Sequence, residues 1–219
     1  MTDAERARVA VVDGLRTPFA RRGGALSTLS AVDLGVACCA ELIDRMSLDP
    51  ERVDEVVYGQ VILDVEAPNI AREVVLRTKL SAQTHAYSVS QACITGHRAV
   101  VCGVQAIRDG DARVVLAGGA DSVSAAPLLA SDRPTATLRR AERAEGPTER
   151  TKVLARLRAR DHVPSVPDLT EPTRSETMGE AAERMAKMNH ISRQAQDELA
   201  HRSHAWPPGR GSRAASPRR

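Results

Sequence analysis

Residues 85–107 read His-Ala-Tyr-Ser-Val-Ser-Gln-Ala-Cys-Ile-Thr-Gly-His-Arg-Ala-Val-Val-Cys-Gly-Val-Gln-Ala-Ile. The part before Gln91 is short and rich in β-forming residues, whereas the part after Cys93 lacks proline and is apolar on nearly every face. This pattern predicts that Cys93 lies at a strand-to-helix turn, on the first turn of a buried helix. Free backbone N–H groups and the positive end of the helix dipole favour a thiolate there, so the position suits a nucleophile. The alternative is a small buried hydrophobic residue, the usual role of an intracellular cysteine.

The other three cysteines do not form a recognisable site. Cys38 and Cys39 lie within a predicted helix, and Cys102 lies inside the apolar helix after Cys93, so we interpret all three as structural. The sequence contains no Cys-x-x-Cys pair, which gives little support to a zinc or redox site.

Strand and helix patterns alternate on both sides of this segment. Apolar runs predict buried strands over 8–13, 55–61 and 113–119 in addition to the one before Cys93, and helical spacing predicts helices over 31–46 and from Pro68. Such alternation predicts an α/β fold with a mainly parallel sheet and helices on both faces. Active sites in such sheets lie at the carboxyl ends of strands, where Cys93 is expected.

The character of the chain changes after about residue 125, so we predict three regions: an α/β domain over 1–124, a mostly helical domain over 125–204 and a tail over 205–219. In the second region, prolines in 163–172 indicate a linker or extended loop. A capping box in Thr177-Met-Gly-Glu180 predicts a helix over 178–189, and Ser192 is the expected cap of a helix over 193–204. The tail is rich in Pro, Gly and Arg, and we expect it to be disordered.

Composition argues against two classes of function. The net charge of +3 comes from five arginines in residues 201–219, and the rest of the chain carries 26 basic and 28 acidic side chains. Only four residues are aromatic, so we expect no nucleic-acid partner. The sequence has neither a secretory segment nor a long apolar run, and its cysteines are unpatterned, so we expect no integral membrane segment and a cytoplasmic location.

The segment Ser88-Val-Ser-Gln-Ala-Cys93-Ile-Thr-Gly-His-Arg-Ala-Val100 resembles the nucleophile motif of the thiolase family. Other segments similar to thiolases follow in the expected order: Asp13–Phe19, Ser30–Gly35, Val53–Val61, Ala117–Ser122, Met178–Glu183 and Ile191–His204. The run Glu66–Arg72 and the form Ser-x-x-Cys-x-Thr are most similar to the 3-ketoacyl-CoA thiolase subunit of fatty-acid oxidation trifunctional complexes. The resemblance covers residues 8–204 and implies the N-terminal half of the thiolase fold followed by an incomplete, CoA-binding loop domain.

The resemblance also implies a site and a reaction. Cys93 occupies the nucleophile position, and Met178 matches the family's Met-Gly element near the acyl-CoA pocket. In thiolases the thiolate attacks a 3-ketoacyl-CoA, acetyl-CoA leaves, and a second CoA takes the acyl group from the cysteine. Coenzyme A is therefore an expected substrate, and no further cofactor or metal is expected. The expected protein partners are a second copy of the chain or a hydratase/dehydrogenase subunit.

The sequence also departs from the family. Thiolases are much longer, and their second half carries a Gly-His-Pro histidine and a Cys-x-Gly cysteine that this sequence lacks. We therefore expect the chain to be inactive in full turnover when alone. His97, four residues after Cys93, is a weak candidate for a substitute base because both would lie on one helix face. One codon choice for the tail restores an Ala-rich helix after a single inserted base, so we interpret the chain as a thiolase product shortened by a frameshift.

Two alternatives to a thiolase acyltransferase remain open. One is a non-enzymatic fragment that binds CoA or a partner. The other is a ketosynthase-like condensing enzyme, which the segments Ala117–Ser122 and Met178–Glu183 disfavour.

Overall fold

The computed structural model describes residues 8–127, 132–158, 170, 173 and 175–205. The chain divides into two compact units, Met1–Pro127 and Leu128–Arg219. The first unit contains a sheet and its covering helices, and the described part of the second unit contains helices.

Three parallel strands form the sheet of the first unit. β1 (Glu55–Gly59) lies between β2 (His85–Val89) and β3 (Val115–Gly119), and the strands pair in register from their first residues to their last. All of β1 is buried, as expected for a central strand whose sequence is apolar on both faces. These three strands were predicted, and their ends differ from the prediction by one or two residues because pairing ends where the chain turns.

The helices α1 (Ala31–Met46) and α2 (Ile70–Leu76) cover one face of the sheet. The capping box of Ser30 and Asp33 begins α1, and the Asn69 side chain begins α2 by accepting from a backbone N–H. These helices and the sheet share one hydrophobic core. Its fully buried members are Val56, Ile70, Ala71, Val74 and Val75.

The helix α3 (Thr95–Asp109) covers the opposite face. Successive strand residues point to opposite faces: the ring of Tyr58 would meet a Cβ added at Gly35 of α1, whereas a Cβ at the next residue, Gly59, would overlap the methyl group of Thr95. Helices therefore cover both faces, which confirms the predicted fold class.

The prediction of a buried helix holds for only one side of α3. Its buried residues are Thr95, Ala99 and Gly103, whereas Val100 and Val101 are each 44% exposed. The sheet covers only one side of this helix, so the apolar residues on its other sides reach solvent. The edge strand β3 is likewise only partly buried, contrary to the prediction of a buried strand.

The prediction of a buried strand over 8–13 is also wrong. Val11 and Val12 are 85% and 77% exposed, and among the described residues β3 pairs only with β1. Two polar contacts instead attach Asp13 and Leu15 to α1. Asp13 forms an ion pair with Arg45 at 3.4 Å, and the carbonyl oxygen of Leu15 accepts a hydrogen bond from the Cys38 thiol at 3.1 Å. An apolar run forms a strand only where its backbone can hydrogen-bond to the edge of a sheet.

The second unit contains four described helices, α4 (Asp132–Glu142), α5 (Pro147–Leu154), α6 (Met178–Met188) and α7 (Arg193–Ala205). The predicted capping box of Thr177 and Glu180 begins α6, and the Ser192 hydroxyl accepts from a backbone N–H in the first turn of α7. The predicted linker over 163–172 lies outside the described residues except for residue 170, and so does the predicted disordered tail after residue 205. Within the described chain, no helix has the length and apolarity that crossing a bilayer requires.

Candidate active site

Cys93 lies at the carboxyl end of the sheet, in the connection between β2 and α3, and it is exposed. Helix α3 begins at Thr95 with Ile94 as its cap, so Cys93 precedes the helix by two residues instead of lying on its first turn. The prediction placed the helix too early because residues 90–95 contain neither the Gly nor the Pro that usually marks a turn. The thiol still lies beside the N-terminus of α3.

The hydroxyl group of Thr95 closes the turn that carries Cys93. It accepts a hydrogen bond from the Gln91 N–H at 2.7 Å and donates one to the Ala92 carbonyl oxygen at 2.6 Å. Ala92 has φ +45°, the left-handed region that residues with a side chain rarely adopt. Cys93 therefore follows a strained residue inside a hydrogen-bonded turn.

A cavity of about 320 Å³ opens beside this cysteine. Its lining comes from the turn, the start of α3, the last residues of β1 and β3 and the residues that follow these strands. The lining residues are Gly59, Val61, Ala92, Cys93, Thr95, Gly96, Gly118, Gly119, Ala120 and Asp121. Four of them are glycines, so backbone N–H and C=O groups come close to the cavity without side chains in front of them. The arrangement matches the expected position of an active site at the carboxyl ends of parallel strands.

Asp121 fixes one wall of the cavity. One of its carboxylate oxygens accepts hydrogen bonds from the N–H groups of Val61 and Ile62, at 3.0 and 2.7 Å. The loop after β3 is thereby joined to the loop after β1. Sequence reasoning gave Asp121 no role of its own, although an acidic residue two positions after a strand that ends in two glycines is a signal that marks it.

Gln60 is a second residue that the sequence analysis missed. It follows β1 directly, is only 1% exposed, and its side-chain amide has no hydrogen-bond partner among the described residues. A buried amide without partners costs free energy. A glutamine at the end of an otherwise apolar strand is the sequence signal for this position.

His97 is not placed as the sequence suggested. It lies on α3 and is exposed, but Cys93 lies before the helix, so the argument that both share a helix face does not apply. Among the described residues, no group of three or more His, Cys, Asp or Glu side chains is arranged to bind a metal ion.

The remaining cysteines are less accessible than Cys93. Burial raises the pKa of Cys38, whose thiol donates to the Leu15 carbonyl oxygen. Burial, and secondarily the neighbouring Cys38, raises the pKa of Cys39 to about 11. Cys102 is partly buried. Cys93 is the exposed member of the four.

Met178, the other predicted site residue, begins α6 in the second unit, and it is 50% exposed. The capping box of Thr177 and Glu180 fixes the backbone at this point. Cys93 belongs to the first unit and Met178 to the second.

A larger cavity of about 860 Å³ adjoins the first one and shares its lining residues 118–121. The segment 9–22, α1, α3 and the region from Arg113 to Ser124 line it, and Cys93 does not. The smaller cavity is the better candidate for covalent chemistry because it contains the exposed thiol.

A parallel α/β sheet with an exposed cysteine between a strand end and a helix start is an arrangement that enzymes with a cysteine nucleophile use. Residues 9–208 match the family described as thiolase, N-terminal domain. The chain belongs to the thiolase family, which confirms the family that the sequence resemblance predicted.

Proteins named 3-ketoacyl-CoA thiolase are similar to this chain in sequence. The protein from Aeromonas salmonicida (strain A449) is 45% identical over 215 residues, covering 96% of this chain and 49% of the relative. The protein from Escherichia coli (strain 55989 / EAEC) is 44% identical over 208 residues, covering 93% and 48%. The chain thus spans about half the length of these relatives.

Solved thiolase structures share the fold. The acetyl-CoA acetyltransferase of Bacillus anthracis is 28% identical with a TM-score of 0.65, over 87% of this chain and 43% of that protein. The Acat5 thiolase from Ascaris suum, solved in complex with coenzyme A, is 26% identical with a TM-score of 0.63, over 84% and 44%.

Proposed function

We propose that this chain takes part in thiolase-type acyl transfer from 3-ketoacyl-CoA, with Cys93 as the residue that accepts the acyl group. The observation that carries the proposal is the exposed Cys93 thiol on the wall of a cavity at the carboxyl end of the sheet. The names of the relatives, 3-ketoacyl-CoA thiolase, support the substrate class.

The reaction starts with attack of the Cys93 sulfur on the keto carbon of the substrate. A carbon–sulfur bond forms, and the bond between the keto carbon and the neighbouring carbon breaks. The electron pair leaves with acetyl-CoA, which takes up from solvent one proton, equal to the proton that the Cys93 thiol gave to solvent on becoming the attacking thiolate. The acyl group remains on Cys93 until the thiol of a second CoA attacks the thioester and releases the cysteine.

The start of α3 supplies the electrostatic part of this step. Negative charge develops on the substrate oxygen during attack, and N–H groups at a helix N-terminus stabilise such charge. We assign the backbone N–H of Cys93 as one donor. The glycines along the cavity, Gly59, Gly96 and Gly119 among them, leave space for the acyl thioester beside the sulfur.

The remaining parts of the proposal concern ligands and partners. Coenzyme A is a substrate and the reaction needs no further cofactor, and Met178 contributes to the acyl-CoA pocket, as the resemblance implies. The location is the cytoplasm, and the partner is a second copy of the chain or the hydratase/dehydrogenase subunit of a fatty-acid oxidation complex. The solved relative in complex with coenzyme A supports the choice of ligand.

Incubation with acetoacetyl-CoA, with and without added CoA, tests the proposal. Mass spectrometry of the intact chain and of its peptides should show an acetyl group on Cys93, and Cys93→Ser should remove it. The matched control is Cys102→Ser, which removes a partly buried cysteine and should leave the acetylation unchanged. Unmodified Cys93 after incubation with excess substrate would reject the proposal. Consumption of acetoacetyl-CoA over many turnovers would instead contradict the expectation that the chain alone is inactive in full turnover.

One observation favours a second, non-catalytic function as a partner-binding chain. The solvent side of α3 carries half-exposed valines, Val100 and Val101, which is typical of a surface that packs against another protein. If Cys93 stays unmodified and the chain forms a stable complex with a second copy or with a hydratase/dehydrogenase subunit, the partner-binding function is supported over acyl transfer.

A further inference from the structure

One side chain, that of Thr95, adds to the backbone hydrogen bonds of the turn around Cys93, in which the Ile94 N–H donates to the Gln91 carbonyl oxygen at 3.2 Å. Thr95 is 4% exposed, and its hydroxyl bonds to the Gln91 N–H and to the Ala92 carbonyl oxygen, on either side of the strained Ala92. Its own backbone N–H also donates to the Ala92 carbonyl oxygen, at 3.1 Å. The hydroxyl therefore links Gln91, on the strand side of the turn, to Thr95, the first residue of α3.

Contact with Gly59 of β1 fixes the rotamer of the Thr95 side chain. Its methyl group lies where a Cβ at Gly59 would be, and its backbone carbonyl oxygen lies 3.2 Å from the same position. The sheet thus occupies the methyl side of Thr95 and leaves the hydroxyl directed at the turn. A threonine suits both requirements, whereas valine keeps the shape without the hydrogen bonds and serine keeps the hydroxyl without the methyl group.

We propose that Thr95 is a positioning residue: its hydroxyl keeps the turn in the conformation that presents the Cys93 thiol to a thioester in the cavity. Ala92 has a conformation that residues with a side chain disfavour, so the turn relaxes when the hydroxyl is absent. A relaxed turn still exposes the sulfur, but the sulfur no longer has a fixed direction of attack. The inference rests on the proposed function, because it concerns delivery of the same thiol.

Two reagents separate positioning from exposure. Iodoacetamide is small and needs only an accessible thiol, whereas acetoacetyl-CoA must meet the sulfur at a defined angle. For Thr95→Val and Thr95→Ala we expect the rate of Cys93 acetylation to fall about ten- to a hundredfold. We expect the rate of its alkylation to change by no more than about threefold, since exposure is retained. Thr95→Ser should stay within about threefold of the wild type in both reactions, since it retains the donor and acceptor.

Amide hydrogen exchange at Gln91 gives an independent readout. Its N–H donates to the Thr95 hydroxyl, so exchange should accelerate about tenfold or more in the Val and Ala variants and stay slow in the Ser variant. If neither wild type nor Thr95→Ser is acetylated while exchange follows this order, the proposed function fails and the control of the turn by Thr95 stands. If acetylation and exchange are the same in all four proteins, the inference is overturned and the proposed function stands. Two further results would assign Thr95 to packing alone and also overturn the inference. One is acetylation of Cys93 that is as slow in Thr95→Ser as in Thr95→Ala. The other is unfolding of both Thr95→Val and Thr95→Ala.

Discussion

At the scale of single residues, the four cysteines differ mainly in their access to water. Only the thiolate reacts with alkylating reagents, and burial disfavours the thiolate. We therefore expect limiting iodoacetamide at pH 8 to modify Cys93 first and Cys39 last. Cys39 is 3% exposed and its pKa is raised to about 11, and the pKa of Cys38 is also raised by burial. Peptide mapping over time gives the order.

Denaturant provides the control for this order. In urea sufficient to unfold the chain, the four cysteines should react at rates within about threefold of one another, because burial no longer distinguishes them. Equal rates in the native protein would contradict the exposed placement of Cys93. Preferential labelling of Cys39 would contradict the position of α1 on the sheet.

The sequence located Cys93 correctly at a strand-to-helix turn and missed how the turn is made. An apolar run after a β-rich run is visible in the residues themselves. The left-handed Ala92 and the hydrogen bonds of Thr95 are not, because alanine and threonine carry no signal for such a turn. The same limit applies to Asp121, whose role depends on N–H groups at Val61 and Ile62 that only the fold brings near.

At the scale of elements, the approach of α3 to the sheet depends on the absence of a side chain at Gly59. Gly59→Ala places a methyl group on Thr95, and overpacking of this kind costs about 1–3 kcal/mol in free energy of unfolding. Gly96→Ala is the matched control, since a Cβ there meets no atom within 4 Å and the change favours the helix by about 0.5 kcal/mol. Urea denaturation measures both. A Gly59 variant as stable as the wild type would show that α3 can move away from β1 without cost.

The capping box of α1 makes part of the stability depend on pH. The N–H of Ser30, then its hydroxyl and the Arg77 guanidinium, lower the pKa of Asp33 from 3.8 to about 2. A carboxyl whose pKa is lower in the folded state stabilises the fold above its unfolded pKa, and this contribution is lost as the pH falls from about 4 to about 2. Asp33→Asn should reduce the free energy of unfolding at pH 7 by about 0.5–1 kcal/mol, a typical value for a cap.

Paired denaturation curves at pH 7 and near pH 2 test this effect. The difference between wild type and Asp33→Asn should shrink toward zero at the lower pH. Asp111→Asn, at an exposed position, should show a difference near zero at both pH values. A difference for Asp33 that is the same at both pH values would mean that its charge does not contribute.

The sequence predicted helices and strands well where local apolar spacing and capping residues determine them. The range of α1 was correct because its apolar spacing and its cap are both local. The strand expected over 8–13 was wrong because pairing with an edge is a long-range event that an apolar run does not specify. The apolar pattern of α3 likewise does not show which side the sheet covers, and the exposure of its other side follows only from the absence of a covering segment in the described part of the chain.

At the scale of the whole molecule, the first unit has a buried core on one face of its sheet and an incomplete cover elsewhere. The buried core is shared by α1, α2 and β1, whereas α3 exposes Val101 and also Val100, which lies at the edge of the larger cavity. Exposed apolar patches of this kind promote association between molecules. We therefore expect the isolated chain to bind a hydrophobic dye in its folded state and to elute from gel filtration as an oligomer or aggregate.

The double substitution Val100→Thr with Val101→Thr tests whether this side of α3 is responsible. Both side chains are 44% exposed, so the change should lower dye binding and association while the free energy of unfolding changes by less than about 1 kcal/mol. Val74→Thr is the matched control. It places a hydroxyl in the core at a fully buried position and should cost about 1–3 kcal/mol without lowering dye binding. Unchanged dye binding in the double variant would assign the adhesive surface to another exposed segment, with Val11 and Val12 the first to substitute, because they are the next exposed apolar pair in the same unit.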